Sequence, residues 1–261
     1  MQQDNLRVTL VQSELVWLNP IANRHQFEKL IRPLSGVTDL IVLPEMFTTG
    51  FMMKPELYAE TFEGETLNWM KQQAQLSGAA IVGSVAMRIN KGFVNRLLFV
   101  TPDGSINYYD KRHLFRMGNE QEHYQAGEER KVFNYRGWRI LPQVCYDLRF
   151  PVFMRNRNDY DLAIVVANWP AARRLPWRTL LQARAIENQS YVIGVNRVGK
   201  DGNGLEYSGD SLAINFRGDL LIDKPEGTVF SETTTFKSDD LKAFRAQFPA
   251  WQDGDEFEIK L

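Results

Sequence analysis

Residues 39–45, Asp39-Leu40-Ile41-Val42-Leu43-Pro44-Glu45, decide the fold. Four apolar residues in a row, without polar alternation, read as a short strand buried on both faces. The same pattern returns as Asp161-Leu162-Ala163-Ile164-Val165. Each copy is followed by a loop, a helical stretch and a second short strand, Ile81-Val82-Gly83 in one case and Val192-Ile193-Gly194 in the other. Further on, Asn107-Tyr108-Tyr109-Asp110-Lys111 is echoed by Leu220-Leu221-Ile222-Asp223-Lys224. The echo implies an α/β fold of two similar halves, whose sheets pack face to face with helices outside.

The remaining elements fit this frame. Strands are expected at Arg7 to Gln12, Ala79 to Met87, Phe93 to Thr101, Ile106 to Tyr109, Trp138 to Cys145, Leu162 to Val166, Tyr191 to Asn196, Asp210 to Asn215 and Leu220 to Ile222. Asn19-Pro20 is an N-cap followed by proline at the first helical position, and it opens a helix to about Leu34. Further helices are expected at Glu65 to Leu76, Pro176 to Gln189 and Asp239 to Gln247. No linker or low-complexity tract divides the chain, so residues 1–261 read as a single domain.

Composition narrows the function. The 261 residues are 44% hydrophobic and 24% charged, ordinary for a folded globular chain. Lys and Arg number 31 against 32 Asp and Glu, a net charge of −1 that gives no electrostatic drive toward nucleic acid or anionic lipid. Met1 to Arg7 is polar and lacks a signal-peptide core, and the longest apolar run, Leu162 to Ala167, is far short of a membrane span. With a single cysteine, Cys145, no intramolecular disulfide can form. The expectation is a cytoplasmic protein with a reduced thiol, without nucleic-acid or membrane partners.

Three residues stand where chemistry is possible. Cys145 ends an apolar strand and begins a turn, the usual place for a site in α/β folds. Nearby backbone N–H groups and a cation would lower its pKa and give a thiolate nucleophile, although a lone cysteine also packs as a small apolar side chain. Glu45 follows a buried strand, where a carboxylate needs a partner or exposure. Lys111 sits between Tyr108-Tyr109 and Leu114-Phe115, as a partly buried cation or as a basic sheet edge. Together they form a usable set: a thiol attacks a carbonyl, a carboxylate moves the proton, and an ammonium stabilises the oxyanion. A Cys145–His113 dyad is the competing arrangement. No Walker loop, dinucleotide fingerprint or Cys/His metal spacing is present.

Three segments, Leu43-Pro44-Glu45-Met46-Phe47, Tyr109-Asp110-Lys111-Arg112-His113-Leu114-Phe115 and Val144-Cys145-Tyr146-Asp147-Leu148-Arg149-Phe150-Pro151, occur in an order and spacing that resembles the nitrilase, or carbon–nitrogen hydrolase, superfamily. The likeness continues through Ala167-Asn168-Trp169-Pro170 and Ala183 to Gln189, and its nearest branch resembles the omega-amidases. The resemblance implies an αββα sandwich of two pseudo-symmetric halves and a homodimer or larger homo-oligomer. It also implies hydrolysis of the terminal amide of small ω-amidodicarboxylates such as 2-oxoglutaramate or 2-oxosuccinamate, through a cysteine thioester, with no metal or cofactor. It implies Cys145 as nucleophile, Glu45 as general base, Lys111 and the Tyr146 backbone N–H as oxyanion partners, and a second glutamate that Glu120 matches best, with Glu122 the rival. Arg173 is the candidate cation for the substrate carboxylate, and Trp169 and Phe47 are candidate pocket walls. Arg149 reads as structural, paired with Asp147, Glu120 or Glu187. A nitrilase or carbamoylase on the same triad, or a non-catalytic binding protein, are the alternatives.

Overall fold

In a computed structural model, residues 5–260 are described, so the first four residues of the polar N-terminal stretch lie outside the described range. The strands are β1 (Leu6–Gln12), β2 (Leu40–Val42), β3 (Ala80–Ile89), β4 (Gly92–Val100), β5 (Ile106–Asp110), β6 (Phe133–Tyr135), β7 (Trp138–Val144), β8 (Leu162–Val166), β9 (Tyr191–Val195), β10 (Val198–Lys200), β11 (Glu206–Ser208), β12 (Leu212–Ile214), β13 (Leu220–Asp223) and β14 (Phe230–Phe236). The helices are α1 (Pro20–Ile31), α2 (Pro55–Tyr58), α3 (Glu65–Ser77), α4 (Glu120–His123), α5 (Pro151–Met154), α6 (Arg174–Asn188) and α7 (Ser238–Gln247). None of them is long and apolar enough to cross a membrane.

The strands form two six-stranded mixed sheets, ordered β14-β1-β2-β3-β4-β5 and β13-β12-β9-β8-β7-β6, and a separate β10–β11 hairpin. The sheets share one plan. In the first, β1, β2 and β3 run parallel and β4 and β5 then alternate antiparallel. In the second, β7, β8 and β9 run parallel and β12 and β13 alternate. The three pairs of segments that echo each other in sequence, β2 with β8, β3 with β9 and β5 with β13, occupy matching places.

The two sheets face each other across one apolar core. Val8, Leu40, Val82 and Phe99 from the first meet Trp138, Ile140, Ile164 and Ile193 from the second, all essentially inaccessible. Outside the first sheet, α1 and α3 bury Phe27, Leu67 and Met70 on Ile41, Ile81 and Leu98. Outside the second, α6 buries Trp177, Leu181 and Ala185 on Ala163, Val165 and Val192. The architecture is an αββα sandwich.

Local chemistry places several boundaries. The Asn19 side chain accepts the Ala22 N–H at 3.0 Å, the cap expected at the start of α1. That helix stops at Ile31 and tightens into a 3-10 turn over Arg32–Leu34, because Pro33 has no N–H to continue the ladder. Helix α6 begins at Arg174, two residues early, with Pro176 tolerated in its first turn. Strand β14 had no counterpart among the expected elements; it pairs antiparallel with β1, Phe236 opposite Leu6 and Phe230 opposite Gln12.

Candidate active site

The site straddles the sandwich at the carboxyl ends of four strands. Glu45 follows β2 and Lys111 follows β5 in the first sheet; Cys145 follows β7 and Asn168 follows β8 in the second. Two of these exits are sharp. Met46, next to Glu45, has φ +40°, and Cys145 itself has φ +48°. A left-handed conformation at a residue with a side chain costs about 1–3 kcal/mol and persists only where the surroundings hold it.

The Lys111 ammonium, fully buried, is the hub. It donates to Glu45 Oε1 at 3.1 Å and to both oxygens of Glu120 at 2.8 and 3.0 Å, and neither carboxylate has any exposed surface. Asn95 reaches the same pair, its side-chain amide 2.7 Å from Glu45 Oε1 and 3.4 Å from Glu120 Oε1. The second Glu45 oxygen accepts the Asn168 backbone N–H at 2.8 Å, and Glu120 Oε2 accepts the Phe115 N–H at 2.6 Å. The Lys111 backbone is pinned as well, its N–H on the Asn95 carbonyl and its own carbonyl on the Gly127 N–H, both at 2.9 Å. Gly127 is obligatory here, since a Cβ would come 2.1 Å from the Asp110 carbonyl oxygen. The second glutamate of the cluster is Glu120; Glu122, its rival in the sequence, is exposed.

Cys145 is partly accessible at the floor of a cavity of about 330 Å³. Its thiol lies 3.9 Å from the Asn168 carbonyl, positioned to donate to it. Burial, then the charge of Glu45, push the thiol pKa well up, and Glu120 adds to this; Lys111 pulls it down without prevailing. Burial and the neighbouring carboxylates thus oppose ionisation of the thiol, where the sequence suggested a cation lowering its pKa. Burial alone would lower Lys111, but Glu120, Glu45 and Cys145 override it and raise its pKa, so it stays an ammonium. Burial raises Glu120, with Glu45 assisting against the opposing pull of Lys111. The arrangement can accept a thiol proton at a carboxylate while presenting a fixed cation to a developing oxyanion.

The cavity walls correct three further expectations. Tyr146, Trp169 and Arg173 line the cavity, but Phe47 does not. The turn at Met46 sends Phe47 back over its own sheet, where its ring is fully buried against Phe27 at 5.5 Å and Trp69 at 5.8 Å. Arg149 is not tied down behind the nucleophile. Asp147, Glu120 and Glu187 are engaged elsewhere, and the Arg149 guanidinium stands 4.9 Å from the Trp169 ring on the cavity wall. Arg173 lies 5.4 Å from the Phe115 ring. Among the described residues neither arginine pairs with a carboxylate. His113 is not the partner of Cys145: its Nδ1 bonds Asp147 at 2.8 Å and its ring stacks on Phe150 at 3.7 Å.

Sequence reasoning passed over Asn95, and with it Asp201 and Tyr207, which the β10–β11 hairpin brings to the cavity. Asn95 carried a signal: an amide inside strand β4, whose residues are apolar apart from Asn95 and Arg96, must find buried partners. The hairpin residues carried none, because their place depends on how a loop folds over the site.

This cluster and these strand ends are set beside known proteins by sequence over almost the whole chain, with residues 7–243 matching the carbon–nitrogen hydrolase family. The chain belongs to that family. It is 51% identical over 256 residues to omega-amidase YafV of Escherichia coli (strain K12), covering 97% of this chain and 98% of that one. It is 32% identical over 253 residues to 2-oxoglutaramate amidase of Bacillus subtilis (strain 168), covering 94% and 96%. The crystal structure of XC1258 from Xanthomonas campestris, a CN-hydrolase superfamily protein with an arsenic adduct in its active site, superposes with a TM-score of 0.96 over 100% of both chains at 50% identity. The protein is thus an enzyme of the carbon–nitrogen hydrolase family on the αββα sandwich.

Proposed function

We propose that the enzyme hydrolyses the terminal amide of small ω-amidodicarboxylates such as 2-oxoglutaramate or 2-oxosuccinamate, releasing ammonia and a 2-oxo acid through a thioester on Cys145. The observation that carries this is one small cavity lined by Cys145, by Lys111 with Glu45 bonded behind it, and by two arginines that among the described residues pair with no carboxylate. An amide at the floor and an anion at the wall describe an ω-amide of a short acid. The identity to the omega-amidase and 2-oxoglutaramate amidase relatives supports the same substrate class.

Each member of the cluster has one part in the reaction. As the Cys145 sulfur attacks the amide carbon, its proton passes to Glu45. The tetrahedral oxyanion is met by the Lys111 ammonium and the backbone N–H of Tyr146, donors of a kind each worth about 3 kcal/mol to a transition state. Glu45 delivers the proton to the amide nitrogen, the C–N bond breaks and ammonia leaves. Glu45 then takes a proton from water as its oxygen attacks the thioester carbon; the 2-oxo acid departs and the thiol is restored. Glu120 shares the ammonium with Glu45 and keeps Lys111 oriented. Arg149 and Arg173 hold the far carboxylate, Arg suiting planar bidentate contact better than Lys, and Trp169 walls the pocket.

The test is ammonia release from 2-oxoglutaramate, from nitriles and from N-carbamoyl amino acids, with intact-mass detection of an acyl adduct during turnover. An adduct on the parent enzyme, none on Cys145→Ala, and turnover confined to the ω-amide are expected. Retained turnover by Cys145→Ala, or preference for a nitrile, overturns the reading.

A further inference from the structure

Asp147, two residues after Cys145, has no exposed surface and does not line the active-site cavity, yet its carboxylate accepts four hydrogen bonds. Oδ1 takes the His113 backbone N–H at 2.9 Å and bonds His113 Nδ1 at 2.8 Å. Oδ2 takes the Tyr109 hydroxyl at 2.9 Å and the Val144 backbone N–H at 3.0 Å. Tyr109 and His113 stand two residues either side of Lys111, and Val144 immediately precedes Cys145. One carboxylate thus grips the end of β5 in one sheet and the nucleophile turn in the other. The Tyr109 oxygen also accepts the Arg112 N–H at 3.1 Å, which aims its own O–H at Asp147.

We propose that Asp147 is a positioning residue that sets the Lys111 ammonium in register with the Cys145 sulfur, an inference that rests on these two residues carrying the reaction. No lysine or arginine forms an ion pair with Asp147 among the described residues; three O–H and N–H donors and one imidazole satisfy it. A buried carboxylate is an expensive way to gain stability, and an apolar side chain of similar volume packs at least as well. What it supplies is direction. Its four acceptor sites hold a left-handed elbow at Cys145 and a strand end from the opposite sheet in one geometry, where a misplacement of about 1 Å costs about 100-fold in rate. The stacking of His113 on Phe150 fastens the far end of the same turn.

The experiment compares Asp147→Asn, Tyr109→Phe and the double variant with the parent, reading kcat, KM, thermal midpoint and the rate at which iodoacetamide alkylates Cys145. Asp147→Asn turns an N–H toward donors that need an acceptor; kcat should fall about 100-fold with KM within about twofold, since Asp147 touches no substrate. Tyr109→Phe removes only the arm on the Lys111 side and should lower kcat about tenfold, and it keeps the inference testable if Asp147→Asn does not fold. The double variant should be no slower than Asp147→Asn alone, because one brace is cut in both. The inference is overturned if both single variants keep kcat within about twofold of the parent, if their losses multiply, or if activity merely tracks the thermal midpoint with alkylation unchanged. Cys145→Ala serves as the separate control: its turnover would sink the proposed chemistry itself, whereas an inactive Cys145→Ala beside a fully active Asp147→Asn removes only the brace.

Discussion

Asn168 and Glu45 hold each other from opposite sheets: the Asn168 backbone N–H donates to Glu45 Oε2 at 2.8 Å, while its side-chain amide donates to the Glu45 carbonyl at 2.6 Å. The carboxylate proposed to trade a proton with sulfur is thereby aimed by the strand next to the one that carries the sulfur. In Asn168→Ala the backbone bond survives and the side-chain bond is lost. Steady-state kinetics should show kcat down about 10–100-fold with little change in KM, the signature of a mis-aimed base. A pure KM effect would contradict this account.

Lys111 neutralises two buried carboxylates at once. Lys111→Met leaves Glu45 and Glu120 facing each other without a cation, and breaking such a buried pair costs about 3–5 kcal/mol. Burial already raises Glu120 against the opposing pull of Lys111, and removing the ammonium removes that pull. The variant should therefore be least impaired at low pH, where Glu120 is protonated, and lose stability as pH rises. Denaturant melts at pH 5 and pH 8 check the sign; a deficit that is larger at acid pH would refute it.

Burial and the Glu45 charge both push the Cys145 thiol upward. Glu45→Gln removes that charge and keeps the shape. Hydrolysis should be abolished for want of a base, yet the midpoint of the iodoacetamide alkylation profile should move to lower pH, because a thiolate no longer faces a neighbouring anion. A midpoint that stays or rises would show that Glu45 does not act on the sulfur.

Arg149 stands on the cavity wall over Trp169 with no carboxylate partner. Arg149→Met should raise KM for 2-oxoglutaramate about 10–100-fold, as expected for losing a charge-assisted hydrogen bond worth about 1.5–3 kcal/mol. The effect on a neutral amide of the same length should be much smaller. Equal losses on both substrates would make Arg149 a structural residue. The same comparison with Arg173→Met ranks the two cations.

Much of this was legible in the sequence where the signal is local. Apolar runs such as Leu162–Val166 and the Asn19 cap each carry their own instruction. Glu45, Lys111 and Cys145, the cluster proposed to react, were legible because each ends a strand within a short distinctive segment. What escaped depends on partners far away in the chain. The stretch Ser231-Glu232-Thr233-Thr234-Thr235 has no apolar alternation and becomes a strand only because β1 offers it a ladder. Arg149 was misread because its nearby carboxylates have better partners, a competition decided in three dimensions. The upward push on the Cys145 thiol was hidden for a related reason: burial and the two carboxylates that oppose Lys111 come from segments distant in the chain.

The pairing of β14 with β1 joins residues near the two ends of the chain, Leu6 opposite Phe236. During synthesis the outer edge of β1 stays unpaired until Phe230–Phe236 has left the ribosome, long after Glu45, Lys111 and Cys145 have all emerged. An unpaired edge of this kind is a template for association with other chains. A nascent chain halted before residue 230 should accordingly aggregate or recruit a chaperone.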